Sequence, residues 1–567
     1  MASHVATLDR TDRRPAETTG VPATPMARRI LVIGLDGATF DVFGPMMDAG
    51  HMPNLKRLIA EGTSGILNST KPPITPAAWT TFMTGKGPGR HGIIDFEKYD
   101  LATNTLHFNS NFEIQEKTIW EILSEKGRRV GSISLPMTYP PKPVNGFMIS
   151  GFDTPSIEQD FTYPRQLKDE ILQRWPDYSY TTNWQRKLLG GVEQFARNIE
   201  YISRSFDQGY ELAEYCGGQY GWDVMMVLFK LVDNLQHKAW RYLEAGAEQR
   251  DPARAAVAAG CLTRLDGVIG KLADMARRHN ATVLIMSDHG HGSLEGKAQP
   301  NLLLKRWGYL KIRSNVEQAR LRAAHILDRS LKRRKARTHS RFGEGNHSIE
   351  RDLAIDWSAT RACVIHAGMY GFLYLNVAGR QPHGQVAPEQ YEAVRDELRE
   401  RLAAVTATDR SGRRFEVFPE VHKTEDLYHC SRQEYRWLPD LLLVPARGLA
   451  VVRKIRGFSP VRWCNPHRQE GTHRVEGILV AWGPHVKPDH RLDANIVDIA
   501  PTLLAALGLP VPIDMEGQAL TDLFDRTLKV EYEPPQKREV APVGEEVYTE
   551  QEKKALAERL ADLGYLE

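Results

Sequence analysis

The chain has 567 residues, of which 41% are hydrophobic and 26% are charged. This composition is typical of a globular protein, and it excludes a chain that is disordered, collagen-like or coiled-coil throughout. Lysine and arginine number 74 and aspartate and glutamate 71, so the formal net charge of +3 gives no global attraction to nucleic acid or to an anionic membrane.

The N-terminal segment, residues 1–28, predicts a disordered leader because it is rich in Thr, Ala, Pro and Arg and lacks an apolar stretch. Arg13 and Arg14 resemble a twin-arginine signal, but Pro15 and polar residues follow where an apolar region would begin. The 5 cysteines include no C-x-x-C pair, which argues against a disulfide framework or a cysteine zinc site. Since no apolar run approaches the roughly 18 residues of a membrane span, we expect a cytoplasmic protein without one.

Short apolar segments then alternate with helical patterns along the chain. Residues 30–35 and 282–286 are apolar runs that end at acidic residues, which is typical of strands buried on both faces of a parallel sheet. Helical spacing predicts helices at 52–61, 193–215, 253–278 and 388–405. The alternation predicts an α/β fold with a doubly wound, mainly parallel sheet and helices on both faces. Functional groups in such a fold lie beyond the carboxyl ends of the strands.

Two segments depart from this alternation. Residues 311–351 are rich in Lys and Arg with few acids, and we interpret them as a basic insertion. Its side chains form either a solvated face, the interpretation we favour, or a patch for an anionic ligand or nucleic acid. Residues 352–470 would form a cap region. Residues 531–567 predict a linker and a C-terminal helix, which packs on the surface or acts as a latch or partner helix.

The segment 71–85, KPPITPAAWTTFMTG, has the pattern of a helix that begins near a hydroxyl group. Thr75 suits an N-cap, Pro76 suits the first helical position and Gly85 suits the end. A hydroxyl at the positive end of a helix favours an alkoxide nucleophile and a bound anion, although most such Thr-Pro starts are only caps. Trp79 either stacks on a substrate or belongs to the apolar face of this helix.

Carboxylate and imidazole side chains elsewhere in the chain are candidate metal ligands. Each alone is unremarkable, because an aspartate after a strand commonly forms a turn and a lone histidine commonly belongs to the core or surface. Oxygen and imidazole donors without thiolates suit Zn²⁺, with Mn²⁺ or Mg²⁺ as alternatives. The candidates are Asp36, the i, i+4 pair Asp233 and His237, then Asp288, His289 and His473.

Seven motifs follow one another along the chain: LDG at Asp36, Thr75 ten residues before the glycine of MTG, HGI at His91, DNLQH at Asp233, SDHG at Asp288, GTHRVEG at His473 and DIAPTLLAALGLP at Asp498. In this order they resemble the motifs of the alkaline phosphatase superfamily, specifically its type I phosphodiesterase/nucleotide pyrophosphatase branch. Together they make a far more specific signal than any one alone. The resemblance implies an alkaline phosphatase-like catalytic domain at 29–530, which contains the basic insertion and the cap region.

The resemblance also implies two divalent metal ions, Zn²⁺ with Mn²⁺ as the alternative, and a phospho-threonine intermediate at Thr75 that water hydrolyses. A threonine nucleophile speaks against a sulfatase, which needs Cys or Ser there. His291, just after the SDH motif, is either a hydrogen-bond partner of the ligands or a loop residue. The implied ligand sets are Asp36, Thr75, Asp288 and His289 for one ion, and Asp233, His237 and His473 for the other.

Two positions depart from the family's pattern. Nucleotide pyrophosphatases carry an Asn shortly after HGI that donates to a phosphoryl oxygen, whereas residues 94–96 here are IDF. In addition, Pro76 has no backbone N–H to offer. Donors to the phosphoryl oxygens must then come from elsewhere, and the candidates are the backbone N–H of Thr75 and the side chains of Asn234, Lys71 and Arg474. These departures put nucleotide specificity in doubt, but not metal-assisted phosphoryl transfer.

We therefore predict a two-metal phosphoester hydrolase, a phosphodiesterase or pyrophosphatase rather than a monoesterase, whose partner is a small-molecule phosphoester. One alternative is a phosphomutase or phosphotransferase, in which an alcohol replaces water as the acceptor. The other is a non-catalytic protein that binds metal or phosphate. We expect no nucleic acid partner, and the sequence carries no signal for an oligomeric state.

Overall fold

The structure is a computed structural model that describes residues 25–179, 191–313, 354–433, 435–465, 470–538 and 547–563. Nearly all of the predicted leader and of the basic insertion lies outside the described residues.

The strands are short, and most of those in the central sheet are fully buried. In chain order they are β1 (Ile30–Leu35), β2 (Thr63–Asn68), β3 (Glu97–Asp100), β4 (Thr105–Phe108), β5 (Val130–Leu135), β6 (Gly146–Ser150), β7 (Thr162–Tyr163), β8 (Val224–Phe229), β9 (Thr282–Met286), β10 (Gly290–Ser293), β11 (Gly296–Ala298), β12 (Ala362–Ala367), β13 (Gly371–Leu375), β14 (Thr406–Thr408), β15 (Arg414–Glu416), β16 (Glu420–Lys423), β17 (Leu441–Val444), β18 (Leu449–Val451), β19 (Val461–Trp463), β20 (Gly471–Arg474), β21 (Glu476–Trp482), β22 (His490–Arg491), β23 (Ala494–Asn495), β24 (Val511–Pro512) and β25 (Tyr532–Glu533).

The four helices predicted at 52–61, 193–215, 253–278 and 388–405 are present, with ends within 5 residues of the predicted ones. In chain order, the helices of the described residues are α1 (Phe40–Asp48), α2 (Pro53–Ala60), α3 (Thr75–Thr84), α4 (Pro88–His91), α5 (Ile119–Glu125), α6 (Leu167–Arg174), α7 (Val192–Tyr220), α8 (Leu231–Ala239), α9 (Ala247–Arg250), α10 (Pro252–Arg278), α11 (Pro300–Arg306), α12 (Tyr391–Ala403), α13 (Thr424–Tyr428), α14 (Ile499–Ala506) and α15 (Glu550–Leu563). The predicted helix at 388–405 begins with a short 3-10 turn, Pro388–Gln390, before α12.

The central sheet has the strand order β22–β2–β21–β9–β1–β8–β5–β6–β7, and β23 also pairs with β2. Strands β9, β1, β8, β5 and β6 are parallel to one another. Strand β21 is antiparallel to both of its neighbours, and β7 is antiparallel to β6. The sheet is therefore mainly parallel, as the sequence predicts.

Both faces of this sheet are covered by helices, because side chains of a strand alternate between the two faces. Leu31 and Ile33 of β1 pack into a core that contains α7 and α10. Ile30 and Val32 of the same strand pack into a second core with α3, α5 and α14. This arrangement confirms the doubly wound α/β fold.

The predicted cap region contains a four-stranded sheet in the order β12–β13–β17–β16, and β11 joins β18 and β19 in a smaller sheet. These strands share a third hydrophobic core with β3, β4 and α12. The turn between β12 and β13 lies close to the carboxyl end of the central sheet, since Met369 Sδ accepts a hydrogen bond of 3.3 Å from the backbone N–H of His473. Among the described residues, no helix is both long and apolar enough to span a membrane.

Candidate metal centre and active site

Three adjacent parallel strands deliver the acidic residues of the site. Asp36 directly follows β1, Asp288 follows β9, and Asp233 lies in α8, which begins directly after β8. Because the carboxyl ends of neighbouring parallel strands meet at one edge of a sheet, these carboxylates converge. All three are fully buried.

The histidines come from the same helix and from a two-stranded ribbon. His237 lies one turn after Asp233 in α8, as the i, i+4 spacing predicts. His473 of β20 is directly opposite His291 of β10 in the antiparallel ribbon, so both side chains lie on the same face. His289 precedes β10 and its ring stacks on that of His473, with centroids 3.6 Å apart.

Asp233 is the centre of one group of donors. Its Oδ1 lies 3.2 Å from Nε2 of His237, 3.4 Å from Nε2 of His291 and 3.3 Å from Nε2 of His473. These four residues place their potential ligand atoms within 4.8 Å of one another. Such a set of carboxylate and imidazole donors could hold a divalent metal ion.

The other ring nitrogen of each of these histidines is fixed by a backbone carbonyl group. Nδ1 donates to Gly471 from His237 (3.0 Å), to Pro73 from His473 (2.9 Å) and to Gly37 from His291 (3.0 Å). Because a carbonyl oxygen only accepts, Nδ1 carries the proton and Nε2 of the neutral ring presents its lone pair. Burial lowers the pKa of His291 and of His473, which favours the neutral ring. Three imidazole lone pairs thus point at one carboxylate, an arrangement that fits a cation.

Thr75 and His289 belong to the second group of donors. Nε2 of His289 lies 3.4 Å from Thr75 Oγ1, 3.3 Å from Oδ2 of Asp288 and 3.7 Å from Oδ1 of Asp36. Asp36, Asp233 and His289 also have ligand atoms within 4.8 Å of one another. The structure therefore brings all of the ligands implied by the resemblance to one place.

In the described part of the chain, Asp36 and Asp288 each have one carboxylate oxygen in a hydrogen bond with the protein and one without such a bond. Asp36 Oδ2 accepts from Nε1 of Trp79 at 3.3 Å, and Asp288 Oδ1 accepts from the N–H of Gly37 at 3.0 Å. Among the described residues, Oδ1 of Asp36 and Oδ2 of Asp288 have no hydrogen-bond partner although they are buried. Buried polar atoms of this kind need a partner, and a metal ion would supply it.

The pKa shifts of the three aspartates also indicate a site that favours a bound cation. Burial raises the pKa of Asp36 to about 7, with Asp233 adding to the rise and Lys230 opposing it. Burial and the charge of Asp36 raise the pKa of Asp288 well above its usual range. Burial alone would also raise the pKa of Asp233, but His237 and Lys230 outweigh it and hold that pKa well below its usual range. The three carboxyl groups together can carry more negative charge than Lys230 neutralises. Added cations would therefore bind to them and displace protons.

Lys230 is a functional candidate that the sequence interpretation missed. Its Nζ donates to Oδ2 of Asp233 at 2.5 Å and to Oδ1 of Asn234 at 3.4 Å, and it lies 5.2 Å from the ring centroid of Phe152. The ammonium group holds one oxygen of Asp233, so the other oxygen faces the imidazoles. The available signal was the i, i+3 spacing from Lys230 to Asp233 in α8.

The start of α3 differs in detail from the prediction. Ile74 is the N-cap residue, Thr75 is the first residue of the helix and Pro76 the second, so the predicted cap role of Thr75 is wrong. Gly85 ends the helix with a left-handed φ of 64°, as its position predicts. Trp79 is fully buried and donates to Asp36, which makes it a support of the site rather than a substrate wall.

The three predicted substrate contacts fall in different places. Asn234 is buried beside Lys230 in α8. Lys71 forms an ion pair of 2.7 Å with Glu420 of β16. Arg474 lies opposite Gly290 in the ribbon, on the face away from His473, and donates to the carbonyl of Ser293 at 3.1 Å. Of the three, only Asn234 contacts a residue bonded to the cluster in this structure.

Residues 30–475 match the family model described as type I phosphodiesterase / nucleotide pyrophosphatase. No curated protein matches the sequence.

Similar solved structures include phosphonoacetate hydrolase from Sinorhizobium meliloti 1021 in complex with phosphonoformate. It is 15% identical, the match covers 85% of this chain and 97% of that one, and the TM-score is 0.48. The complex of the same enzyme with phosphonoacetate has the same identity and coverage, 15%, 85% and 97%, and a TM-score of 0.45.

Proposed function

The chain belongs to the type I phosphodiesterase/nucleotide pyrophosphatase family, and on that premise we propose that it is a two-metal phosphoester hydrolase with Thr75 as its nucleophile. The observation that carries this proposal is the position of Thr75. Its Oγ1 is buried at the start of α3, 3.4 Å from Nε2 of His289 and beside two groups of carboxylate and imidazole donors. We propose a small-molecule phosphodiester or pyrophosphate as the substrate.

The donors divide into two proposed metal sites. Asp233, His237 and His473 would hold one ion, with His291 facing the same carboxylate oxygen, and Asp36, Asp288, His289 and Thr75 would hold the other. Zn²⁺ suits these donors, with Mn²⁺ as the alternative. When bound, two divalent cations supply positive charge that lowers the pKa of a hydroxyl group and neutralises phosphoryl oxygens.

The chain's own residues orient the reacting hydroxyl group. Thr75 lies in the first turn of α3, where the positive end of the helix favours the developing alkoxide and the anionic substrate. Thr75 Oγ attacks phosphorus in line, the bond from phosphorus to the leaving oxygen breaks, and a phospho-threonine forms. Water then attacks the same phosphorus atom and releases Thr75.

Lys230 and Trp79 act as positioning residues. Lys230 holds Oδ2 of Asp233, and Trp79 holds Oδ2 of Asp36. Each contact leaves the second carboxylate oxygen facing the cluster. Carboxylates fixed in this way keep their geometry as charge develops, so little reorganisation is needed during the reaction.

A rate measurement tests the proposal. The full chain, loaded with zinc or manganese, should release nitrophenolate from bis(p-nitrophenyl) phosphate, and Thr75→Ala should reduce kcat by at least about a hundredfold. Thr80→Ala is the matched control, because Thr80 lies on the same helix and donates to the carbonyl of Pro76 instead of facing the cluster. Turnover of Thr75→Ala at the parental rate would exclude Thr75 as the nucleophile.

A further inference from the structure

The loop that joins β18 to β19 carries the most exposed aromatic ring in the described part of the chain. This loop, residues 452–460, has the sequence VRKIRGFSP and is called the basic loop below. The side chain of Phe458 is 87% exposed, whereas Ile157 and Val192, the other exposed large hydrophobic residues among those described, are each 37% exposed. A phenylalanine ring almost wholly in water is a candidate for contact with a partner when other features of the surface point to one.

The backbone on both sides of Phe458 is fixed by one buried side chain. Gln299 is 1% exposed, and its Nε2 donates to the carbonyl oxygens of Arg456 at 3.0 Å and of Ser459 at 2.8 Å. Its Oε1 accepts from the N–H of Arg456 at 2.8 Å. Arg306 donates to the carbonyl group of Phe458 itself. Because these bonds maintain the shape of the loop, the fold itself presents the ring to solvent.

The two segments that meet at the basic loop contain basic residues and no acidic ones. Residues 296–313 and residues 441–465 each include five Lys or Arg and neither Asp nor Glu. Glu295, which precedes the first segment, lies at the other end of the β18–β11–β19 sheet, since its N–H donates to the carbonyl group of Gly448 at 2.7 Å, just before β18. The basic loop therefore lies in a region of positive charge.

Two of these cations lie directly opposite each other. Lys297 of β11 pairs with Arg462 of β19 in the antiparallel register, so both side chains lie on the same face of the sheet. Like charges in this arrangement repel, and neither residue forms an ion pair with a carboxylate group that the structure describes. Burial raises the pKa of Cys464 and Glu470 adds to the rise, while Lys297, Arg462 and Arg410 oppose it. Three cations thus lie near one carboxylate, and an anionic surface would relieve their repulsion.

The combination of an exposed ring and exposed cations suits the surface of an anionic bilayer. Lys305, Arg306, Arg456 and Arg462 are exposed and form no ion pair with any described carboxylate group. At a bilayer, an aromatic ring enters the boundary between headgroups and acyl chains, while long Lys and Arg side chains reach the headgroup phosphates. Single-stranded nucleic acid is bound by several aromatic rings along a groove, whereas the described residues expose one ring at the tip of a loop.

We propose that the basic loop attaches the protein to the surface of an anionic phospholipid bilayer, with Phe458 inserted among the headgroups and Lys454, Arg456 and Arg462 beside their phosphates. This local surface would attract the bilayer although the formal net charge of the whole chain is only +3. Such attachment is peripheral and requires no membrane-spanning helix. The inference goes beyond the proposed function and does not depend on it.

Vesicle binding by the full chain tests the role of the ring. At low salt, the parent chain should co-sediment with vesicles of phosphatidylcholine and phosphatidylglycerol in equal parts, with at least about tenfold higher affinity than for pure phosphatidylcholine vesicles. Phe458→Ser should weaken binding to the anionic vesicles by at least about tenfold, because the inserted ring is lost. Phe458→Trp should retain the affinity. Ile157→Ser, which removes an exposed hydrophobic side chain elsewhere, is the matched control and should also retain it.

A second pair of variants tests the charges. Lys454→Glu combined with Arg456→Glu should weaken binding to the anionic vesicles by at least about tenfold, and added salt should weaken binding of the parent chain. Arg197→Glu combined with Arg204→Glu, at exposed positions of α7, makes the same change of net charge and should leave the affinity unchanged. Thermal unfolding checks that each variant is folded.

Three results would overturn the proposal. The first is a parent chain that does not bind anionic vesicles, or equal affinities for Phe458→Ser and Ile157→Ser. The second is an equal loss in the two charge-reversed variants, because net charge rather than the basic loop would then cause binding. The third is a chain that ignores vesicles but binds a single-stranded oligonucleotide through Phe458, which would make nucleic acid the partner. None of these measurements uses hydrolysis, so failure of the proposed function would not affect them.

Discussion

Nε2 of His237 and Nε2 of His473 lie 2.8 Å apart, although 236 residues separate them in the chain. Both rings donate from Nδ1 to backbone carbonyls, so two lone pairs face each other beside Asp233. Neutral nitrogens in this arrangement repel each other unless a proton or a metal ion lies between them. The pair is therefore the clearest sign that the cluster is built for a cation.

Metal removal should destabilise the protein. The purified chain should contain about two divalent ions, and dialysis against a chelator should lower Tm. A free ion at one hundred times its Kd stabilises the folded state by about 2.7 kcal/mol per site, so added Zn²⁺ or Mn²⁺ should restore Tm. Elemental analysis and thermal unfolding check this prediction. A carefully purified protein with almost no metal, and a Tm indifferent to Zn²⁺ and Mn²⁺, would contradict it.

Lys230→Met should weaken metal binding without unfolding the protein. The substitution removes the hydrogen bond to Asp233 Oδ2, and loss of such a support typically lowers metal affinity by about 10- to 100-fold. Lys230→Arg should restore part of the affinity because it keeps the positive charge. Lys238→Met, in α8 one residue after His237, is the matched control. Titration of the metal-free variants with zinc gives the affinities, and equal values for Lys230→Met and Lys238→Met would refute the positioning role.

Asp95 should make the stability of the protein depend on pH. Its folded-state pKa of about 8 lies above the ordinary value of 3.8, so the folded chain keeps a proton that the unfolded chain releases. The free energy of unfolding should therefore fall as pH rises from about 4 to about 8, and Asp95→Asn should remove this part of the dependence. Urea unfolding of the parent and the variant across this range measures it. Parallel profiles would show that the pKa is not raised.

The C-terminal helix α15 should support the site. Leu556 and Leu560 are buried in one cluster with Ile74, Ala77 and Phe152, and Arg559 donates to the backbone carbonyl groups of residues 152, 154 and 155. Leu560→Ala should cost about 2–5 kcal/mol of unfolding free energy. It should also lower kcat, because the cluster includes the residue next to Thr75. Lys554→Ala, on the exposed face of the same helix, should change neither quantity, and an equal effect of both substitutions would contradict the prediction.

The sequence was sufficient for features that depend on local pattern. The apolar runs before Asp36 and Asp288 predict β1 and β9. The i, i+4 spacing predicts that Asp233 and His237 share one face if their segment is helical, and the segment is the helix α8. Because the carboxyl ends of parallel strands meet, the convergence of these acids also follows from the pattern. The order of the motifs also predicted the family, and the match over residues 30–475 confirms that prediction.

The positions of residues that depend on contacts between distant segments of the chain could not be predicted from the sequence. His291 faces Asp233 because the register of β10 with β20 places it opposite His473, and that register is set far from either motif. The same ribbon turns Arg474 away from the cluster. The pairing of Lys71 with Glu420 likewise needs the cap sheet in place.

The measurement that bears most directly on Thr75 as the nucleophile is the capture of its phosphoryl group. The metal-loaded chain is mixed with an aryl phosphodiester, quenched in acid within the first turnover, and digested for mass spectrometry. We predict a phosphorylated peptide with the modification on Thr75 in the parent chain and in Thr80→Ala, and none in Thr75→Ala. Full turnover without any phosphorylated Thr75 in samples quenched within the first turnover would contradict a threonine intermediate.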